Sequence, residues 1–159
     1  MPQLQVMSKV EKPTVLLADD NDATCTLITA LLHRDFDVEI ATDGSEAIER
    51  LRTRKYASLL LDLRMPHMDG FAVLDFLKAN QPKMLANVLI VTAALTNREI
   101  TKAESYGVCE IIPKPFEVET LLAAVKRCTS TDEGTLGPVL CASGPVILLL
   151  ADLLRQRLM

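Results

Sequence analysis

Asp62 is the first polar residue after the largely apolar run 57–61, and three other apolar runs end at chemically related points. The run 14–18 stops at Asp19 and Asp20, the run 88–91 stops at Thr92, and the run 109–112 stops at Pro113-Lys114-Pro115. If these runs are parallel strands, three carboxylates, a hydroxyl and an ammonium meet at the carboxyl edge of one sheet, where open α/β folds place their ligands. Such a set can hold a divalent cation and a phosphoryl group.

Neighbouring strands lie roughly 5 Å apart, so Asp19, Asp20 and Asp62 would crowd and repel one another. A hard cation removes the conflict, and Mg2+ takes oxygen ligands from one or two carboxylates, waters and a phosphate. A carboxylate beside a metal and a cationic side chain can also act as a nucleophile toward phosphorus. Asp62 stands alone at a central strand end and is the candidate for that role. Asp19 and Asp20 are adjacent, as metal ligands would be. Lys114 supplies a fixed positive charge, and the Thr92 hydroxyl can donate to a phosphoryl oxygen.

The elements that must position these groups are legible in the periodicity. From Pro13 onward, short apolar runs alternate with helical spacing, the pattern of βαβ units and a parallel sheet. Strands are expected near 14–18, 38–41, 58–61, 88–92 and 109–112, and helices over 23–34, 45–54, 71–80, 98–106 and 118–128. Asp43-Gly44, Asp69-Gly70 and Asn80-Gln81-Pro82 supply turn chemistry, and Gly107 stands where a left-handed cap is wanted. Asp19 and Asp20 have a plainer alternative reading as caps of the first helix.

The chain has 159 residues, room for one ordinary domain. Seventeen basic against 21 acidic residues give a net charge of -4, with no basic block, which argues against direct nucleic-acid binding. Cys25, Cys109, Cys128 and Cys141 are widely spaced without a metal-ligand pattern, so reduced thiols in a cytoplasmic protein are the expectation. His33 and His67 are single and are expected at the surface. Residues 1–12 lack a signal-peptide pattern and read as an arm.

Asp19-Asp20, the run from Leu61 to Gly70, Thr92-Ala93 and Lys114-Pro115-Phe116 together resemble the receiver domain of two-component response regulators. The resemblance covers residues 13–128 or so and implies a doubly wound, flavodoxin-like α/β fold: a five-stranded parallel sheet of order 2-1-3-4-5 with helices on both faces, an order the family shares with flavodoxin. It implies that Asp62 accepts a phosphoryl group from a histidine kinase or phosphotransfer protein. It also implies that Asp20, Asp62 and the Arg64 backbone carbonyl bind Mg2+ with Asp19 assisting, and that Thr92 and Lys114 are switch residues. The Lys114-Pro115 bond is expected to be cis. The chain departs from the family at Ile111, where receivers usually carry an aromatic residue three positions before the lysine.

Two other readings compete: a pseudo-receiver that is not phosphorylated, and an aspartyl-nucleophile phosphatase. The phosphatase would need a general acid two residues after its nucleophile, where this chain has Arg64. The division expected is an arm over 1–12, a receiver over 13–129 and a linker with an apolar tail over 130–159. Val146, Leu149, Leu150, Leu153 and Leu154 follow helical spacing in that tail, which is too short to span a membrane. With no DNA-binding or catalytic segment in the sequence, the expected output is a contact with a downstream protein target, or a homodimer, through Lys102, Glu104, Glu110, Glu119 and Lys126.

Overall fold

The computed structural model describes residues 11–93 and 95–130. The arm at its beginning and nearly all of the linker and apolar tail, residues 131–159, lie outside the described residues, and with them the expected tail helix and Cys141. Five strands, β1 (Thr14–Ala18), β2 (Asp37–Ala41), β3 (Ser58–Leu61), β4 (Val88–Thr92) and β5 (Glu110–Pro113), alternate with five helices. The helices are α1 (Asp22–Leu32), α2 (Gly44–Thr53), α3 (Gly70–Asn80), α4 (Asn97–Glu104) and α5 (Val118–Thr129). The strands form one parallel sheet in the order β2-β1-β3-β4-β5.

Side chains alternate across each strand, and the alternation builds two cores. Leu16, Ala18, Leu59, Leu61, Val88 and Ile90 face α2, α3 and α4, where they meet Ala47, Leu51, Val73, Leu74, Leu77 and Ala103. Val15, Leu17, Leu60, Leu89, Val91 and Ile112 face α1 and α5, where they meet Ile28, Leu32, Leu121, Ala124 and Val125. All of β3 and β4 is buried because both faces are covered, which is why those strands are continuous apolar runs rather than alternating ones. The edge strand β2 is more exposed and mixed in composition.

Helix starts follow local capping chemistry. Asn21, Asp43 and Asp69 accept hydrogen bonds from the third residue beyond them, and Thr96 with Glu99 forms a reciprocal capping box. The cap of α1 is therefore Asn21 and neither Asp19 nor Asp20, which leaves both carboxylates to the sheet edge. Gly107 adopts φ 77°, as its place after α4 requires. The turn expected at 80–82 continues as a 3-10 segment, Pro82–Asn87, which the periodicity did not show. There the Asn87 side-chain amide donates to the Ala57 carbonyl at 2.9 Å, and the Ser58 hydroxyl donates to the Asn87 carbonyl at 2.8 Å.

One expectation is overturned. Cys109 and Cys128 are joined by a disulfide, with Cα atoms 5.9 Å apart. Their 19-residue separation carries no motif. They meet because α5 runs back along the sheet, returning the end of the helix to the start of the strand. Cys25 remains a free, buried thiol.

Candidate functional site

Each group at the carboxyl edge is placed by the last residues of a strand. Asp19 follows β1 and its backbone N–H donates to the Ala41 carbonyl at 3.0 Å, while the Asp62 N–H donates to the Ala18 carbonyl at 2.9 Å. The ladder is thereby carried one residue past β1 and β3, holding both acidic residues in register. Gly70 makes this possible from below, since a Cβ there would stand 2.5 Å from the Asp62 carbonyl oxygen. Thr92 ends β4, and Lys114 follows β5 with its N–H donating to the Thr92 carbonyl at 2.8 Å.

The side chains converge. Carboxylate oxygens of Asp19, Asp20 and Asp62 all lie within 4.8 Å of one another. Thr92 Oγ1 donates to Asp62 Oδ1 at 2.8 Å, and the Arg64 backbone N–H donates to the same oxygen at 2.9 Å. Lys114 Nζ reaches Asp19 Oδ2 at 2.5 Å and Asp62 Oδ2 at 3.2 Å. Asp19 Oδ1 is held by the Asn21 N–H at 2.8 Å. Asp19 and Asp62 are buried and Asp20 is exposed, so the cluster opens to solvent on the Asp20 side.

Two of the three carboxylates, Asp19 and Asp62, share the Lys114 ammonium. Burial by itself would push the Lys114 pKa down, but the Asp19 and Asp62 carboxylates more than offset it and hold the lysine above its ordinary value. Lys114 thus stays a permanent cation. The neighbouring Cys25 thiol is pushed up to about 11, first by burial and then by Asp19, and stays protonated at neutral pH.

The sequence of residues 15–126 matches the profile of the response regulator receiver domain. This chain belongs to that family. Among curated relatives, the receiver is 33% identical over 114 residues to the transcriptional regulatory protein ZraR of Escherichia coli O157:H7, covering 71% of this chain and 25% of the relative. It is 33% identical over 130 residues to the response regulator MprA of Mycobacterium sp. (strain KMS), covering 79% of this chain and 56% of the relative. The chain therefore spans between a quarter and just over half the length of these relatives. Among solved structures, the non-phosphorylated HemR receiver domain of Leptospira biflexa superposes with a TM-score of 0.71 at 28% identity, covering 79% of this chain and 100% of that one. The receiver domain of the Francisella response regulator 1452 superposes at 0.67 with 26% identity, covering 74% and 97%.

The receiver of this chain brings together every residue singled out at the strand ends. Arg64 joins through its amide, a contact no motif announced. Its side chain reaches Glu99 on α4 at 3.4 Å. Ile111 pairs with Ile90 in the β4–β5 ladder and packs, half-buried, against the α2–α3–α4 core. Tyr106 lies just past α4 and donates to Asp75 at 2.5 Å, so it is bound to α3 and does not stand in for the missing aromatic. Lys114-Pro115 is cis, as expected. His33 and His67 are exposed, and His67 occupies a turn at φ 64°. Among the residues expected to form an output surface, Glu110 pairs with Arg127 at 2.6 Å, Lys126 with Asp35 at 3.4 Å, and Lys102 lies 4.1 Å from the centre of the Phe71 ring.

Proposed function

We propose that this receiver is a phosphoacceptor of a two-component relay in the cytoplasm, and that Asp62 takes a phosphoryl group from a phosphohistidine on a histidine kinase or phosphotransfer protein. The observation that carries the reading is the double hold on Asp62. Thr92 and the Arg64 amide fix one oxygen of its carboxylate, and Lys114 is drawn to the other while tied to Asp19. An oxygen of Asp62 attacks phosphorus, the P–N bond breaks, and the imidazole leaves with the electron pair. Lys114 and the Thr92 hydroxyl are placed to follow the phosphoryl oxygens as charge builds on them.

The donor set fits Mg2+. All the side-chain ligands are oxygens, and three carboxylates against one lysine leave two negative charges for a divalent ion to balance. Asp19, Asp20, Asp62 and the Arg64 backbone carbonyl are assigned to hold it. When bound, Mg2+ supplies charge neutralisation at the phosphoryl group. The modified receiver then signals by a changed protein contact with a downstream target or a second copy. Among the described residues no helix is long and apolar enough to cross a membrane.

Incubation with a small phosphodonor and Mg2+ tests the reading. The expected result is one hydroxylamine-sensitive phosphoryl group per chain on Asp62. No label with metal bound would make the chain a pseudo-receiver, and steady turnover of phosphate esters would make it a phosphatase.

A further inference from the structure

Cys109 and Cys128 close a covalent loop around the segment that presents Lys114. The bridge joins the residue before β5 to the last turn of α5, and the 19-residue span includes Lys114, its cis peptide and the β5–α5 connection. The two residues differ in exposure, Cys128 being fully buried and Cys109 half-buried. The positions next to them are tied independently, with Arg127 donating to Glu110 at 2.6 Å and the Cys109 N–H donating to the Val88 carbonyl at 2.8 Å. The first ties the end of α5 to β5 and the second ties the start of β5 to β4, neither passing through the sulfurs. Opening the bridge therefore leaves the thiols as neighbours, ready to re-form it.

We infer that Cys109 and Cys128 are a reversible thiol–disulfide exchange site that takes a small external disulfide or thiol, and that its closure restrains the β5–α5 unit carrying Lys114. The inference rests on the proposed function in one respect: a phosphoacceptor served by a kinase works in a compartment kept reducing, where protein disulfides are transient or redox-sensing rather than permanent. In closure, the Cys109 thiolate attacks one sulfur of the external disulfide and expels one small thiol. Cys128, as thiolate, then displaces the second, so that two protein thiols are oxidised as one small disulfide is reduced to two thiols. Opening is the reverse: an external thiolate attacks the sulfur of the more exposed Cys109 and Cys128 leaves and takes up a proton, then a second external thiolate attacks the small-molecule sulfur of the mixed disulfide, releasing Cys109 as a thiol and one small disulfide.

The test uses the full chain with Cys141→Ser, to prevent scrambling, equilibrated over a series of reduced-to-oxidised glutathione ratios. Alkylation and mass measurement should show a reversible two-electron transition in which two thiols appear or vanish together. Closing a loop of this length should raise the melting temperature by about 10 °C. Cys109→Ser should abolish the transition and the redox dependence of melting, and Cys128→Ala should do the same. Three free thiols at every ratio, Cys25 included, or a bridge that survives excess glutathione in the native protein, would overturn the inference. Labelling by a small phosphodonor should differ at least twofold in rate between the two forms, and equal rates would overturn the restraint on Lys114. If neither form is labelled, the reading of Asp62 fails while the redox transition is still read directly from thiol content.

Discussion

Two charged networks flank the same sheet and are balanced in opposite ways. On the outer strand β2, Glu39 accepts from Tyr56 at 2.6 Å and is paired with Arg50 at 3.4 Å and with Arg54, while Glu46 pairs with Arg50 at 2.8 Å. Two carboxylates there face two guanidiniums. At the carboxyl edge the acidic cluster is Asp19, Asp20 and Asp62, and among the described residues the cation paired with it is Lys114, through Asp19 and Asp62. The first network is complete, and its result is a Glu39 carboxyl held below the usual 4.5, first by the Tyr56 hydrogen bond, against burial, and then by the arginines. The second carries more carboxylates than cations among the described residues. The network on β2 and the one at the carboxyl edge thus differ in their charge surplus.

The strongest way to break this contrast is at the proposed nucleophile. Asp62→Asn should abolish phosphodonor labelling outright while leaving the fold intact. Because it also removes one of the surplus charges, its metal-free melting temperature should stand at or above that of the parent protein. A large metal-free destabilisation would mean that the edge is a structural network like the one on β2.

Next in size is the metal response. Mg2+ should stabilise the parent receiver by about 2.7 kcal/mol at a hundredfold excess over its dissociation constant. Asp20→Asn, at the exposed ligand, should weaken binding and shrink that shift, with little cost to the metal-free protein. Calorimetric titration that finds equal Mg2+ affinity in the two would remove Asp20 from the site.

Glu39→Gln probes the balanced side and should cost about 1 kcal/mol at neutral pH, the scale of a hydrogen bond to a charged group discounted for exposure. The sign follows from the lowered pKa. A depressed carboxyl contributes stability above its unfolded value of 4.5 and loses it as pH falls through the folded value. The gap in melting temperature between parent and variant should therefore be full at pH 6 and close steadily below about 4.5. A gap that persists at pH 3 would show that packing, and not ionisation, is what Glu39 provides.

Much of this architecture was legible because its signals are local. Strands β1, β3 and β4 fall on the apolar runs, and the meeting of Asp19, Asp62, Thr92 and Lys114 at one edge follows from parallel strands, whereas their order along it followed only from the family resemblance. What was hidden depends on tertiary return. The 3-10 segment at Pro82–Asn87 is fixed by Asn87 reaching back to Ala57, and the Cys109–Cys128 bridge by α5 folding back along the sheet. The choice of Asn21 over Asp19 as the α1 cap was hidden for another reason. Consecutive polar residues satisfy the same capping rule, and only the β1 ladder, running one residue further, decides between them.

The smallest expected effect lies where the two kinds of network touch. Arg64 leaves the Asp62 loop and reaches Glu99 at 3.4 Å, and Glu99 also closes the α4 capping box. The Glu99 carboxyl is held below its usual value first by the Thr96 amide, then by the Thr96 hydroxyl, with Arg64 adding less. Arg64 is therefore an accessory partner to Glu99, and α4 keeps its cap without it. Its side chain reaches from the strand-end loop to α4, and on the proposed phosphorylation of Asp62 we expect it to shield the phosphoryl group from water. Arg64→Ala should speed dephosphorylation about two- to fivefold at constant Mg2+, a small change because an exposed ion pair holds the side chain only weakly. Glu99→Gln should give a smaller acceleration, because it loosens the anchor and leaves the shield. An unchanged decay curve in Arg64→Ala would show that Arg64 acts on Asp62 through its backbone amide alone.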